Sequence, residues 1–269
     1  MNKLPISALV ASYNEGHLLE DCLKSLQFCD EVVVVDLNST DNTAEIARRW
    51  ATTYHFEPEY VPYFDVHHHK YIPPLKHNWF ILIDPDERIM PALAESIGTF
   101  LQTVAADIAA IRAPMINHFK GKALKGTTYG GIVYARLLYF KPGISIDDDV
   151  HNGIKVLPGF DKTKIWFEAE NYDRHLWCNS WAQLYDKHRR YLLGEGQARY
   201  NEGRRYRFGD EWKGLVRTFY FNFKGMKGYT DGLRGLGISL MEARYEFIAS
   251  RRLLKYQRAP MALSEKFKK

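Results

Sequence analysis

Apolar runs that end abruptly in polar residues set the rhythm of the amino-terminal part of the chain. Ile6–Ala11 gives way to Ser12-Tyr13-Asn14-Glu15-Gly16, and Val32–Val35 to Asp36-Leu37-Asn38-Ser39-Thr40-Asp41-Asn42-Thr43. Trp79–Ile83 gives way to Asp84-Pro85-Asp86-Glu87-Arg88 without a spacer. Unbroken apolar runs of this length predict strands buried on both faces. Between the first two, Leu18, Leu19, Cys22, Leu23, Leu26 and Phe28 recur at helical spacing, which predicts a helix over 17–28. Thr40 or Asp41 can cap a second helix running to about Trp50. A strand–helix–strand–helix order implies an α/β fold with a mostly parallel sheet and right-handed crossovers.

Residues 52–78 are rich in aromatics, proline and histidine and show weak periodicity, which leaves room for one short strand and a surface loop. A helix is expected near Pro91–Val104, strands at Ile108–Ala113 and Val133–Phe140, and a loop or hairpin at Asn117–Gly121. The pattern changes near residue 174. From Leu176 onward it is mainly helical, with Trp181, Leu184, Tyr185, His188 and Leu192 on one face and Leu233, Leu236, Leu240, Tyr245 and Ile248 on another. This divides the chain into residues 1–173 and a mainly helical extension, 174–269.

Charge sharpens that division. The 269 residues carry a net charge of +5. Residues 1–173 hold 16 Lys and Arg against 23 Asp and Glu, which is −7; residues 174–269 hold 21 against 9, which is +12. The second part is therefore expected to face something anionic, or simply to carry a solvated helical surface. Three cysteines with no CxxC pair indicate neither a zinc site nor a disulfide framework. The amino terminus reads as a first strand and not as a signal peptide. The few, unpaired cysteines make a reducing cytoplasm the default, and no apolar run approaches the ~20 residues of a spanning helix, so integral membrane insertion is not expected.

The chemistry gathers at the strand ends. Pro85 cannot continue a ladder, so Asp84 and Asp86 are held together where open α/β sheets bind ligands. Adjacent carboxylates repel unless a cation lies between them, and a hard divalent ion such as Mg²⁺ or Mn²⁺ takes oxygen ligands that it shares with phosphates. Neighbouring parallel strands bring Asn14, Glu15 and Asp36 to the same edge, where a carboxylate can accept from a nucleobase or from ribose.

Val10-Ala11-Ser12-Tyr13-Asn14-Glu15, Val34-Val35-Asp36-Leu37-Asn38-Ser39-Thr40-Asp41-Asn42-Thr43 and Ile83-Asp84-Pro85-Asp86-Glu87-Arg88 together resemble the family 2 glycosyltransferases of the GT-A fold. The resemblance extends to Arg136-Leu137-Leu138-Tyr139-Phe140 and Val150-His151. Lys227-Gly228-Tyr229-Thr230-Asp231-Gly232 through Gly235-Leu236 is similar to the subgroup that builds lipopolysaccharide core and related surface glycans. The resemblance implies a nucleotide-binding set of Ser12, Asn14, Glu15, Asp36 and Asp84, with Asp36 on the base, usually uracil, and Asp84 near the ribose. It implies a divalent metal on Asp86, a nucleotide-sugar donor, and inversion assisted by one general base. The implied partners are the donor and a glycan or lipid-linked acceptor, with no nucleic acid.

One departure concerns the base. The subgroup reads Val-His-Glu where this chain has Val150-His151-Asn152, and an amide cannot accept the proton. The role passes to Asp149, with Asp148 and His151 as rivals. Adjacent aspartates raise one another's proton affinity, which suits a base. A solvated acidic turn is the plainer reading of the same residues.

Other candidates carry weaker signals. His67-His68-His69 is expected in a surface loop. Lys76 and His77 could meet a diphosphate, and His175 could assist at the metal. Phe219-Tyr220-Phe221-Asn222-Phe223-Lys224, between Arg217 and Lys227, suits either core packing or an anionic membrane surface. The rival classes are a phosphatase with an Asp-x-Asp pair, a nucleotidyltransferase, and a catalytically impaired nucleotide-sugar binder, the last motivated by Asn152.

Overall fold

The computed structural model describes residues 3–58, 64–146 and 153–259. They fall into two compact units: residues 1–116 with 132–175, and residues 117–131 with 176–269.

The first unit is an α/β domain. Its elements run β1 Leu4–Ser12, α1 Gly16–Ser25, β2 Cys29–Asp36, α2 Thr43–Trp50, β3 Thr53–Phe56, α3 His68–Tyr71, β4 Trp79–Ile83, β5 Glu87–Ile89 and α4 Pro91–Thr103. The strands that follow in the chain are β6 Ile108–Phe119, β7 Lys122–Ala123, β8 Ile132–Phe140, β9 Ile144–Ile146, β10 Ile154–Val156, β11 Asp161–Lys164 and β12 Asp173–Cys178, of which β7 and the last residues of β6 and β12 are assigned to the second unit. The sheet order is β3-β2-β1-β4-β8-β6-β12-β5. The first four strands are parallel, and β8 joins β4 antiparallel. These four strands are the parallel part that the strand–helix alternation predicts; the sheet as a whole is mixed, because β8 also pairs antiparallel with β6, β6 with β7 and β12 with β5.

The apolar runs are continuous because both faces are covered. Ile6, Ala8, Val10, Val32, Val34, Ile81 and Ile83 enter one core with Leu19, Cys22 and Leu23 of α1 and Leu93 and Ile97 of α4. Leu9, Val33, Val35 and Phe80 point to the other core, which includes Tyr71 and Ile72. Alternate residues of one strand thus serve two cores, as the period of two requires. Helix α1 ends at Ser25, three residues short of Phe28, yet Leu26 and Phe28 remain buried in the following turn.

One expectation changes, and one open alternative is decided. The histidine run is not a surface loop: α3 begins at His68, which is buried and packs edge-on against Phe64 at 5.5 Å. Asn117–Gly121 is a hairpin, turning at Lys120 (φ 53°) and Gly121 (φ 72°), where two successive positive φ values match a tight two-residue turn.

The second unit contains α5 Trp181–Asn201, α6 Asp210–Tyr220 and α7 Leu233–Arg258, with a π turn at Phe221–Gly225 and a 3₁₀ turn at Gly228–Asp231. The Asp231 carboxylate accepts from the backbone N–H of Lys125 and of Gly126. The Asn222 side-chain oxygen Oδ1 accepts from the backbone N–H and the hydroxyl of Thr128. The Lys227–Gly235 motif therefore serves as a backbone-packing device. A Cβ on Gly235 would stand 1.8 Å from the Gly228 carbonyl oxygen, and one on Gly126 2.2 Å from that of Lys227. All three cysteines are buried free thiols, and among the described residues no helix is long and apolar enough to cross a membrane.

Candidate active site

Register places the polar groups. Ser12 pairs with Asp36, Asp36 with Phe56, and Val10 with Ile83, so β1, β2 and β4 end together at one edge of the sheet. Sequence-predicted Ser12, Asn14, Glu15, Asp36, Asp84 and Asp86 all lie at that carboxyl edge. Asp148, Asp149 and His151 lie outside the described residues; the strands that flank them, β9 and β10, pair antiparallel from Ile146–Ile154 outward.

The first two loops are knotted to one another. Asn14 adopts φ 54°, a left-handed conformation that asparagine tolerates. Its side-chain oxygen accepts from the Thr40 N–H at 2.7 Å, and its own N–H donates to Ser39 Oγ at 2.9 Å. The Gly16 N–H donates to Asp41 Oδ2 at 2.9 Å, while Asp41 Oδ1 receives the Thr43 N–H at 3.0 Å. Burial raises the Asp41 proton affinity, but these donors outweigh it and hold the carboxyl below the usual range. A Cβ on Gly16 would collide with the Asn42 side chain at 2.2 Å.

Asp36 is almost fully buried, at 1% exposure. Its Oδ1 accepts from the Ser39 N–H at 2.8 Å and its Oδ2 from the Tyr54 hydroxyl at 2.9 Å. Arg48 in turn lies over the Tyr54 ring at 4.6 Å. Burial and the Asp36 charge push the Tyr54 hydroxyl up, so it stays a donor. Ser12 is also buried, and its Oγ has no hydrogen-bond partner. An unsatisfied hydroxyl beside a carboxylate at a strand end is a polar vacancy that a ligand group can fill.

The Asp84–Arg88 segment is a tight turn. Glu87 N–H donates to the Asp84 carbonyl at 3.0 Å, and the Asp84 N–H returns a bond to Glu87 Oε2 at 3.0 Å. Arg88 ties the turn down: one guanidinium nitrogen donates to the carbonyls of Pro85 and Glu87, at 2.6 Å each, and another to that of Leu18 in α1 at 2.5 Å. Asp84 is exposed and Asp86 buried.

Strand β12 completes the edge. It pairs antiparallel with β5, setting His175 opposite Glu87 and Arg174 opposite Arg88. His175 Nε2 then lies 3.4 Å from Asp86 Oδ2. Asp173 Oδ1 accepts from the Arg88 N–H at 3.2 Å. Burial, followed by the charges of Asp173 and Asp84, pushes the Glu87 carboxyl well up. Burial likewise raises Asp173, and Asp86 and Asp84 add to the shift against the opposing His175 and Arg88 N–H. Asp84, Asp86, Glu87 and Asp173 thus form a crowded acidic patch while the Arg88 guanidinium is occupied by carbonyls.

Such a patch favours a cation. Asp86 and His175 offer one oxygen and one nitrogen donor, a set that suits Mn²⁺ or Mg²⁺ with phosphate oxygens filling the other positions. Among the described residues no three His, Cys, Asp or Glu converge as a metal-holding group. Lys76 and His77 do not reach this site. They precede β4, at the opposite end of the strand, and pair with Asp30 at 2.5 and 2.8 Å. Tyr54, Arg88 and Asp173 went unrecognised in the sequence. Only Arg88, contiguous with Asp84-Pro85-Asp86, carried a local signal.

An α/β sheet whose parallel strands end in a hydrogen-bonded loop pair and an acidic turn is the architecture that the GT-A resemblance implies. Residues 7–67 match the profile of glycosyl transferase family 2. The lipopolysaccharide core biosynthesis glycosyltransferase LpsC of Rhizobium meliloti (strain 1021) is 34% identical over 104 residues, 37% of this chain and 38% of that protein. The match spans well under half the length of that relative. Among solved structures, residues 1–349 of S. aureus TarS superpose with a TM-score of 0.47 at 15% identity, covering 98% of this chain and 93% of that one. Glucosyl-3-phosphoglycerate synthase from Mycobacterium tuberculosis, solved with Mn²⁺ and UDP-glucose, gives 0.35 at 20% identity over 43% of this chain and 44% of that one.

Proposed function

We propose that this chain is an inverting glycosyltransferase. It moves a sugar from a nucleotide-diphosphate donor, a UDP-sugar, to a hydroxyl of a cell-surface glycan or glycolipid. The carrying observation is the alignment of Ser12, Asp36 and the Asp84–Asp86 turn at one sheet edge, with His175 brought beside Asp86. The similarity to a lipopolysaccharide core transferase supports the acceptor class.

In this reading Asp36 and Ser12 receive the base and Asp84 accepts from the ribose. Asp86 and His175 hold the divalent cation. When bound, that ion acts as a Lewis acid, neutralising charge on the departing diphosphate. Arg88 keeps the turn rigid so that Asp86 does not have to reorganise. Asp149, or one of its neighbours Asp148 and His151, takes the acceptor proton. The enzyme works on the cytoplasmic side, in peripheral contact with an anionic membrane surface where lipid-linked acceptors reside.

Thermal-shift measurements with UDP, in the presence and absence of Mn²⁺, test the donor site. UDP should raise the melting point, and more so with Mn²⁺, because a ligand selective for the native state stabilises it. A flat response to every nucleotide diphosphate with the metal present rejects the assignment. Asp149→Asn should abolish sugar transfer and leave that shift intact. Turnover at the wild-type rate in this variant removes Asp149 from the mechanism. A chain that binds UDP-sugars yet neither transfers nor slowly hydrolyses them is the impaired binder that Asn152 suggests.

A further inference from the structure

Helix α6 is built inside out. Of its residues, Trp212, Lys213, Val216, Arg217 and Tyr220 are exposed, and together they span an arc of about 140°. Trp212, Val216 and Tyr220 follow one another at intervals of four and form a single row, exposed by 63%, 64% and 58%. An ordinary surface helix puts its apolar stripe inward and polar groups outward. Here the buried position is Gly214, which lets Glu246 of α7 come close, while the partly exposed Trp212 ring rests one edge on Phe247 of α7 at 4.9 Å. Isolated exposed apolar residues need no explanation, but a contiguous row of them marks an interaction surface.

The row extends beyond the helix. Phe208, one turn's length before Trp212, is 96% exposed, and Phe221, just after Tyr220, is 50% exposed. A second row, Lys213 and Arg217, runs parallel to the first. Lys224 continues it and lies over the Tyr220 ring at 5.5 Å. The acids of the helix are confined to its first turn, where Asp210 accepts from the Arg207 N–H and Glu211 from the Tyr206 hydroxyl. The exposed arc therefore carries apolar and cationic side chains and no acid. Bulky aromatics with basic neighbours on one helix face match the acyl–headgroup boundary of an anionic bilayer, which takes rings into its interface and attracts cations to its surface.

We propose that the outward face of α6 seats this protein on an anionic lipid surface, with the Trp212–Val216–Tyr220 row in the interface and Lys213, Arg217 and Lys224 at the phosphates. The proposal gives the membrane contact named above an address, and it rests on the surface of the second unit, independent of the sugar-transfer chemistry. A second copy of the chain covering the same row is the competing outcome.

The full chain is sedimented with phosphatidylcholine vesicles containing or lacking a minor fraction of phosphatidylglycerol. Binding is expected only with the anionic lipid and should fade as ionic strength rises. Lys213→Glu with Arg217→Glu should weaken partitioning roughly tenfold or more, since each cation near the surface contributes a comparable share. Trp212→Ala should weaken it as well, and brominated lipid should quench fluorescence in the wild type more than in that variant. No binding at low ionic strength, equal binding to neutral vesicles, or unchanged binding by both variants overturns the proposal. So does a dimer in velocity sedimentation that Trp212→Glu converts to monomer. UDP thermal shifts on each variant separate the two readings: a vesicle result stands whether or not the nucleotide binds.

Discussion

His175 Nε2 lies 3.4 Å from Asp86 Oδ2, although 89 positions separate them in the chain. The link is the β5–β12 ladder, which carries His175 to the residue after Asp86. Both side chains are largely withdrawn from water, and the proposed function makes them the nitrogen and oxygen donors to the divalent cation. Asp86→Asn should remove the Mn²⁺-dependent part of the UDP thermal shift. His175→Ala should raise the Mn²⁺ concentration needed for half the effect while leaving the metal-free UDP response unchanged. A Mn²⁺ titration of the melting point for each variant checks this, and wild-type behaviour in both would take the pair out of the site.

Arg88 gives a prediction about rigidity. Its guanidinium satisfies carbonyls on two sides of the Asp84–Glu87 turn and on α1. Arg88→Met keeps the aliphatic stem but leaves those carbonyls without their donor. Charged hydrogen bonds are worth about 1.5–3 kcal/mol each and do not add fully, so a loss of about 3 kcal/mol is expected in urea unfolding. Arg88→Lys should recover only part of it, because an ammonium cannot fork across three oxygens. Full stability in Arg88→Met would contradict the bridging role.

Gly235 tests the packing role of the carboxyl-terminal motif. Its missing side chain lets α7 begin against the Gly228 carbonyl, and a methyl there meets backbone at 1.8 Å. Backbone cannot move aside as a flexible side chain does, so Gly235→Ala should destabilise the second unit by more than about 2 kcal/mol. Gly121→Ala meets nothing within 4 Å, but its φ of +72° carries a smaller conformational penalty. Limited proteolysis should show faster cleavage of the second unit in Gly235→Ala than in Gly121→Ala.

The Arg199 cluster gives a pH dependence. Arg199 donates to Glu246 through two nitrogens, at 2.9 and 2.7 Å, and to Glu195 at 2.7 Å. Burial raises the proton affinity of Glu246, but the Arg199 bonds and charge, helped by Ser250 and Arg217, outweigh it and hold the carboxyl below its usual value of 4.5. A depressed native value means that the stabilisation is complete above the unfolded value and is lost as pH falls through the folded one. The melting point should therefore drop on acidification below about pH 4.5, and Glu246→Gln should flatten that decline while lowering stability at neutral pH. An identical acid limb in the variant would assign the loss to other carboxylates.

Much of the first unit was legible in sequence because its signals are local. Apolar runs of Ile6–Ala11, Val32–Val35 and Trp79–Ile83 can only be strands covered on both faces, and Pro85 stops the last of them wherever it packs. The histidine run misled because periodicity is silent over a four-residue helix whose burial depends on Phe64. The Lys227–Gly235 motif, similar to the lipopolysaccharide-core subgroup, has glycines at places where backbone meets backbone, which no local pattern states.

By itself the sequence determined that three strands end in polar turns and that two aspartates flank a proline at one of those ends. Tertiary structure alone decided that Asp36 is shut in by Ser39 and Tyr54, that Arg88 clamps the turn, and that His175 faces Asp86. The reason is distance along the chain. Strand ends follow from the local period of apolar residues, whereas a contact across 89 positions exists only once two strands choose each other as neighbours, and no local pattern records that choice.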